Sequence, residues 1–335
     1  MKIYDLQTPA LVVDAADLQH NLAVMASALP GPKLRPHVKA HKTTRLAAHQ
    51  AAVGHQTFTC ATIREVEGMA RAGLGDDLLL ANEVLDARRM GEVLARGARV
   101  TLAVDSDATI EAAAAGGVRE VLIDVNVGLP RCGCRPKDAG RLAELARAKG
   151  LVVRGVMGYE GHVVGLEVRS KRAELTEDCM RLLLDAHRDV GGEVISAGGT
   201  GTYDLNSWAN EIQAGSYVLM DTAYAKLELP FRNALTLLAS VISVNPEGWA
   251  VADCGLKALG MDHGNPSLSD GGVVWFCSDE HLTFSAAEGS PGYRVGQHVR
   301  VVPAHVDPTV AYHESMHLVD GEDVLETWPV DLRGW

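Results

Sequence analysis

"EVLIDVNVGLPRCGCRPKDAGRLAELARAKGLVVRGVMG", residues 120–158, decides the fold. An apolar run at 120–126 passes through a polar loop into a stretch at 138–150 whose apolar residues recur at three- and four-residue steps. A second apolar run follows at 151–158. The runs fit buried strands, and the stepped stretch fits an amphipathic helix stopped by Gly150. The pattern extends in both directions: strands are expected at 33–39, 55–61, 76–81, 99–105, 193–199 and 211–218, and another helix at 62–73 that ends at Gly73. Eight strands with interleaved helices favour an α/β fold of the closed (β/α)₈ TIM type over an open doubly wound sheet. No GxGxxG follows the first strand, which removes the usual sign of a dinucleotide site.

Past about residue 230 the texture changes. "LTLLASVISVN", "WAVADCG", "GGVVWFCSD", "HLTFSA" and "HVRVVPAHVD" are β-rich pieces broken by Gly, Pro, Asn and Asp. The expected division is a barrel over 14–228 and a C-terminal all-β domain over 229–335. The opening strand within 1–13, "PALVVD" at its end, joins the second.

The 335 residues are 47% apolar and 22% charged, the balance of an ordinary globular chain. Forty-three acidic against 31 basic residues give −12, the wrong sign for nucleic acid or an anionic membrane as main partner. "MKIYDLQTPALVVD" lacks the apolar core of a signal peptide, and no run approaches the ~20 residues that span a bilayer. Six scattered cysteines suit a reducing cytoplasm, and "RCGCR" alone, with no second pair of finger-like spacing, is not expected to bind metal.

Three groups carry chemistry. "LRPHVKAHKTTR" (34–45) ends a predicted barrel strand at Lys39, and strand C-termini face the active-site mouth of such barrels. An amine there, among imidazoles and near Arg35, suits a Schiff-base nucleophile as well as a solvated charge. Lys42 is the competing amine, read at the start of the next helix. "SAGGTGTYD" (196–204) offers Gly198, Gly199 and Gly201 amides with the Thr200 and Thr202 hydroxyls, and Gly215, Ser216 and Tyr217 follow one strand later. Loops after the last two barrel strands are frequent phosphate sites. A reactive lysine at the first strand and a phosphate cradle at the last two point to pyridoxal phosphate. In "VPAHVDPTV" (302–310), His305 and Asp307 lie two apart; on a strand they share a face and suit a divalent cation or a simple hydrogen bond. His313 and His317 are expected on the strand that follows. Arg131, Tyr159, His162 and Asp253 lie near inferred strand ends or turns, where each is more often structural than catalytic.

The ordered set "TPALVVD", "RPHVKAHK", "RCG", "GYEGH", "GGTGT", "AGSYVLMD", "DCGLKAL", "DEH" and "PAHVDPTV" resembles the D-threonine aldolase / D-serine dehydratase-like family, alanine racemase-like enzymes of fold type III that use pyridoxal phosphate. The resemblance covers nearly the whole chain. It implies that Lys39 bonds the cofactor's aldehyde, that Arg131 contacts its phenolic oxygen and that Tyr159 lines its pocket. It further implies that Gly199, Thr200 and Tyr217 hold the phosphate and that His305 and Asp307 bind the metal. His162 matches a family histidine assigned as general base, with a shorter spacing after Tyr159. Aspartate rather than cysteine at 307 is typical of the aldolase branch, and a carboxylate suits Mn²⁺ first, with Mg²⁺ or Zn²⁺ as alternatives. The implied activity is cleavage of D-β-hydroxy-α-amino acids to glycine and an aldehyde, by a homodimer. The alternatives are a D-serine or 3-hydroxy-D-aspartate dehydratase, a racemase, a non-catalytic pyridoxal phosphate binder without the β-domain, and a cofactor-free sugar-phosphate enzyme.

Overall fold

A computed structural model describes residues 1–335. It divides into two compact units: residues 1–24, 40–45 and 216–331 form one, and residues 25–39, 46–215 and 332–335 form the other. The expected boundary lies near 228. The chain instead crosses at 215/216, and its last four residues return to the barrel unit.

The first unit is built on a nine-stranded sheet. Strand β1 (Ala10–Asp14) runs parallel to β15 (Ser315–Asp320) and antiparallel to β9 (Leu235–Val244), so the opening strand is interior to this sheet. The order is β12 (Val273–Cys277), β13 (Leu282–Ser285), β10 (Trp249–Ala252), β9, β1, β15, β16 (Asp323–Pro329); β14 (His298–Val302) pairs with β9 and with β11 (Ser267–Leu268). Asp253 is structural here: it accepts from the Ser240 N–H at 2.8 Å and the Thr8 hydroxyl at 2.5 Å, tying the N-terminal segment to β9.

The barrel unit holds seven parallel strands in sequence order: β2 (Phe58–Cys60), β3 (Leu78–Leu80), β4 (Val100–Val104), β5 (Glu120–Asp124), β6 (Val152–Met157), β7 (Val194–Ala197) and β8 (Glu211–Ile212). The eighth position, expected as a strand over 33–39, is filled by a short extended segment. Leu34 bridges Ile212 and His37 bridges Thr59; Arg35 N–H donates to Ile212 O, His37 N–H to Ala214 O, and Thr59 N–H to Pro36 O. Those bonds close the cylinder. Pro36 has no N–H to extend a ladder, and the chain turns into a 3₁₀ turn at Val38–Ala40 that contains Lys39.

Helices α3 (Ile63–Arg71) and α6 (Ala139–Ala148) lie within the predicted 62–73 and 138–150. Thr62 caps α3 by accepting the Glu65 N–H, and residues such as Leu142, Met180 and Leu183 pack against the outward side chains of the strands. Inside the barrel the alternation gives layers. Leu79, Ala103, Leu122, Met157 and Val194 form the apolar middle. Below them, at the N-terminal strand ends, Arg35 pairs with Asp77 (3.1 Å) and Glu211 (2.9 Å), and Arg154 with Asp77 (3.2 Å). Burial pushes Asp77 up, but the two guanidiniums outweigh it and hold the carboxyl below its usual value. Arg35 therefore belongs to the floor of the barrel. It is not the neighbour of Lys39 that the sequence suggested.

Candidate functional site

In the barrel unit, the residues at and beyond the C-terminal strand ends form a polar mouth. Lys39 is half-buried in its 3₁₀ turn. Tyr159 follows β6, and the Arg131 guanidinium lies over its ring at 5.3 Å from the centroid. A Cβ on Gly199 would stand 3.3 Å from Val164 Cγ1 and 3.5 Å from the Tyr159 ring, so the glycine loop packs tightly against this tyrosine. Lys42 adopts a left-handed φ of 48° ahead of α2 (Thr44–Ala52), short of the helix start expected there.

The loop Gly198–Thr202 is organised by a residue that sequence reasoning passed over. Glu160, fully buried between the two residues singled out in "GYEGH", accepts from the Gly198 N–H (3.2 Å), the Thr202 hydroxyl (2.8 Å) and Asn206 Nδ2 (3.4 Å). Burial pushes its carboxyl up, and these donors pull against it. The Gly199 N–H donates to Thr202 Oγ1 at 3.2 Å. Two loop amides are thus used inside the protein. A buried glycine-rich loop braced by a carboxylate, with an arginine lying on an aromatic ring beside it, fits a phosphorylated planar cofactor.

His162 is exposed. Its ring lies 3.8 Å from Cys179 Sγ and would meet a Cβ on Gly128 at 3.0 Å. Glu83, Asp105 and Asp124 stand at or just beyond the C-terminal ends of β3, β4 and β5. Burial, then the Glu83 and Asp105 carboxylates, push Asp124 well above the usual range, against the pull of Arg131. A hydrogen bond to Glu83 pushes the Cys132 thiol up to about 11, and burial pushes Cys134 up to about 12.

The second group lies wholly in the β unit. His305 and Asp307 do not share a strand face. His305 is the extended N-cap of α9 (Val306–Tyr312), bridged to Gly260, and Asp307 lies in the first turn. His313 caps the far end of α9, its Nε2–H donating to Ala258 O (2.9 Å), and His317 sits on β15 beside Thr327. A helix start brings the two candidates together as a strand would have: His305 Nε2 is 3.7 Å from Asp307 Oδ2, which also lies 3.5 Å from Ser216 Oγ. His305 Nδ1 is 2.7 Å from Asp262 Oδ2, and His263 stacks on the imidazole with centroids 4.0 Å apart and planes 8° apart.

The donor set can be tested on its protons. A carboxylate oxygen accepts, so the 2.7 Å contact takes the Nδ1–H of His305 to Asp262 and turns the Nε2 edge toward Asp307. His305 Nε2 and Asp307 Oδ2 stand 3.7 Å apart, too far for a hydrogen bond and within reach of two ligands sharing one cation at about 2.1 Å each. The pair fits a divalent metal.

This architecture and these motifs have relatives. The alanine racemase N-terminal domain family matches residues 13–223, and the serine dehydratase domain family matches residues 234–319. The chain belongs to the D-threonine aldolase / D-serine dehydratase-like family. It is similar to a D-threonine aldolase from Arthrobacter sp. (31% identity, covering 98% of this chain and 93% of that one). It is also similar to a D-threo-3-hydroxyaspartate dehydratase from Delftia sp. (28%, covering 98% of each). The crystal structure of D-threonine aldolase from Filomicrobium marinum superposes with a TM-score of 0.93 at 32% identity, covering 100% of this chain and 98% of that one. Membership settles the barrel-plus-β architecture. No helix of this family member is long and apolar enough to cross a membrane.

Proposed function

We propose that the chain is a lyase that uses pyridoxal phosphate and a divalent cation to split D-β-hydroxy-α-amino acids, D-threonine among them, into glycine and an aldehyde. The observation that carries this reading is the His305–Asp307 pair, a nitrogen and an oxygen donor 3.7 Å apart where a thiolate would favour zinc. Mn²⁺ suits it first, with Mg²⁺ or Zn²⁺ as alternatives. When bound, pyridoxal phosphate supplies an electron sink for the charge left on Cα, and the cation supplies Lewis-acid polarisation of the β-hydroxyl.

The protein's own residues do the positioning and the proton transfers. Lys39 would hold the cofactor's aldehyde carbon and, once released from it, carry a proton to Cα on Nζ. Arg131 would donate to the cofactor's phenolic oxygen, and Tyr159 would line its ring. Gly198 and Gly199 shape the phosphate loop through the amides they give to Glu160 and Thr202, while Thr200, Gly215, Ser216 and Tyr217 would hold the phosphate. His162 is the residue proposed to take the hydroxyl proton. A cytoplasmic homodimer is the proposed setting.

Incubation with D-threonine tests the reading. Acetaldehyde plus glycine, lost in a chelator and restored by Mn²⁺, is expected. A dehydratase is the second reading, favoured by the Delftia relative's 28% identity along the same length. A 2-oxo acid plus ammonia from D-serine or 3-hydroxy-D-aspartate would replace the first reading with it. Racemisation that survives the chelator would remove both.

A further inference from the structure

We infer that Asp262 is a positioning residue for the cation pair: by holding the Nδ1–H of His305, it turns the Nε2 lone pair toward Asp307. The inference rests on the proposed cation role of His305 and Asp307. Its basis begins in the backbone. Gly260 and His305 form an antiparallel bridge, and the Thr309 hydroxyl donates to His305 O at 2.7 Å while accepting the Gly260 N–H at 2.9 Å. A Cβ on Gly260 would lie 2.3 Å from Pro308 Cγ, so only glycine lets the 260–263 segment come this close to the start of α9. That approach delivers Asp262 to the imidazole edge and His263 to its face.

The two contacts divide the work. The 2.7 Å bond from Asp262 fixes which nitrogen carries hydrogen and how the ring is turned in its own plane. The stacked His263 ring, 8° from parallel, blocks tilting out of that plane. Nδ1 and Nε2 lie on opposite edges of an imidazole, so a carboxylate bonded to the first holds the ring without competing for a cation on the second. The sequence marks nothing here, because "MDHGNP" (261–266) lies more than forty residues from its target.

The test titrates Mn²⁺ into cofactor-loaded, chelator-stripped protein and reads free Mn²⁺ by electron paramagnetic resonance. The wild type, His305→Ala, Asp262→Ala and Asp262→Asn are compared. Tight binding by the wild type and none by His305→Ala are expected. Asp262→Ala should bind about 10- to 100-fold more weakly. Asp262→Asn, whose side-chain oxygen still accepts from Nδ1, should recover most of that loss. In the cation-free protein, ¹⁵N NMR should show His305 protonated at Nδ1 in the wild type and in Asp262→Asn, and a mixture of tautomers in Asp262→Ala. Wild-type affinity in Asp262→Ala, or an unchanged tautomer, overturns the inference. Loss as complete as in His305→Ala also overturns it, by making Asp262 a ligand. If the wild type itself binds no Mn²⁺, the cation reading fails, and the tautomer measurement still judges Asp262.

Discussion

Asp221 accepts the backbone N–H of Val306 at 3.0 Å across 85 residues of sequence, and its other oxygen accepts the Tyr224 N–H at 2.9 Å. One buried carboxylate thus caps both α8 (Thr222–Ala225) and α9, and the second cap falls between His305 and Asp307. Burial pushes this carboxyl up while the two amides pull it down. Asp221→Ala leaves two helix-start amides without their acceptor in the interior, at an expected cost of about 1–3 kcal/mol. Thermal unfolding should report that loss, and Mn²⁺ affinity should fall with it. An unchanged melting temperature would show that the two caps carry nothing.

Lys39→Ala should fold, because its half-buried side chain leads into a 3₁₀ turn and the closing bonds of the barrel belong to Leu34, Arg35, Pro36 and His37. It should lose the visible absorbance of the cofactor-loaded protein and activity on D-threonine by orders of magnitude. Borohydride treatment of the wild type should place a pyridoxyl adduct on the peptide containing Lys39. An adduct on Lys42 instead would move the reactive amine by three residues.

Most of the barrel was legible because each βα unit states its own periodicity locally: 99–105 and 120–126 enclose β4 and β5, and α3 and α6 start within a residue of their expected positions. The first strand was not legible. It is held by long-range bridges from Leu34 and His37, and a local apolar run cannot report that Pro36 cuts the ladder short. The HxD motif was placed on the wrong element for a similar reason. His305 and Asp307 stand two apart around Val306, the spacing of one strand face, but Pro308 in the third helical position was the signal of a helix start, where its missing N–H is harmless. Glu160, Asp221 and Asp262 were invisible as working residues. Each acts on a partner about 40 to 85 positions away, and a single carboxylate in a sequence carries no mark of such a partner.

Glu160 gives a prediction for the glycine-rich loop 198–202 and the cofactor it is proposed to hold. Glu160→Ala removes the acceptor for the Gly198 amide and the Thr202 hydroxyl, and leaves both donors buried. The loop should loosen and cofactor retention after dialysis should drop at least about tenfold, an amount equal to one lost buried bond of about 1.4 kcal/mol. Glu160→Gln keeps one acceptor oxygen but turns an N–H toward Asn206 Nδ2 or the Gly198 amide, so it should recover only part of the affinity. Equal retention in all three proteins would show that the loop is rigid without this carboxylate.

Asp124 sets a pH dependence of stability. Its folded-state carboxyl is raised by burial first and by Glu83 and Asp105 next. A raised acid binds its proton more tightly in the folded than in the unfolded chain. Its contribution is therefore fully present below the unfolded value, near 3.9, and is lost as pH rises toward the folded value. The slope is at most about 1.4 kcal/mol per pH unit for the one proton. Asp124→Asn has no proton to lose and still offers an N–H toward Glu83. The variant should gain on the wild type as pH rises above the unfolded value toward the folded one, read as the difference between their urea unfolding free energies. A difference that stays flat with pH above the unfolded value would mean that Asp124 is ionised in the folded protein throughout, with Arg131 holding its charge.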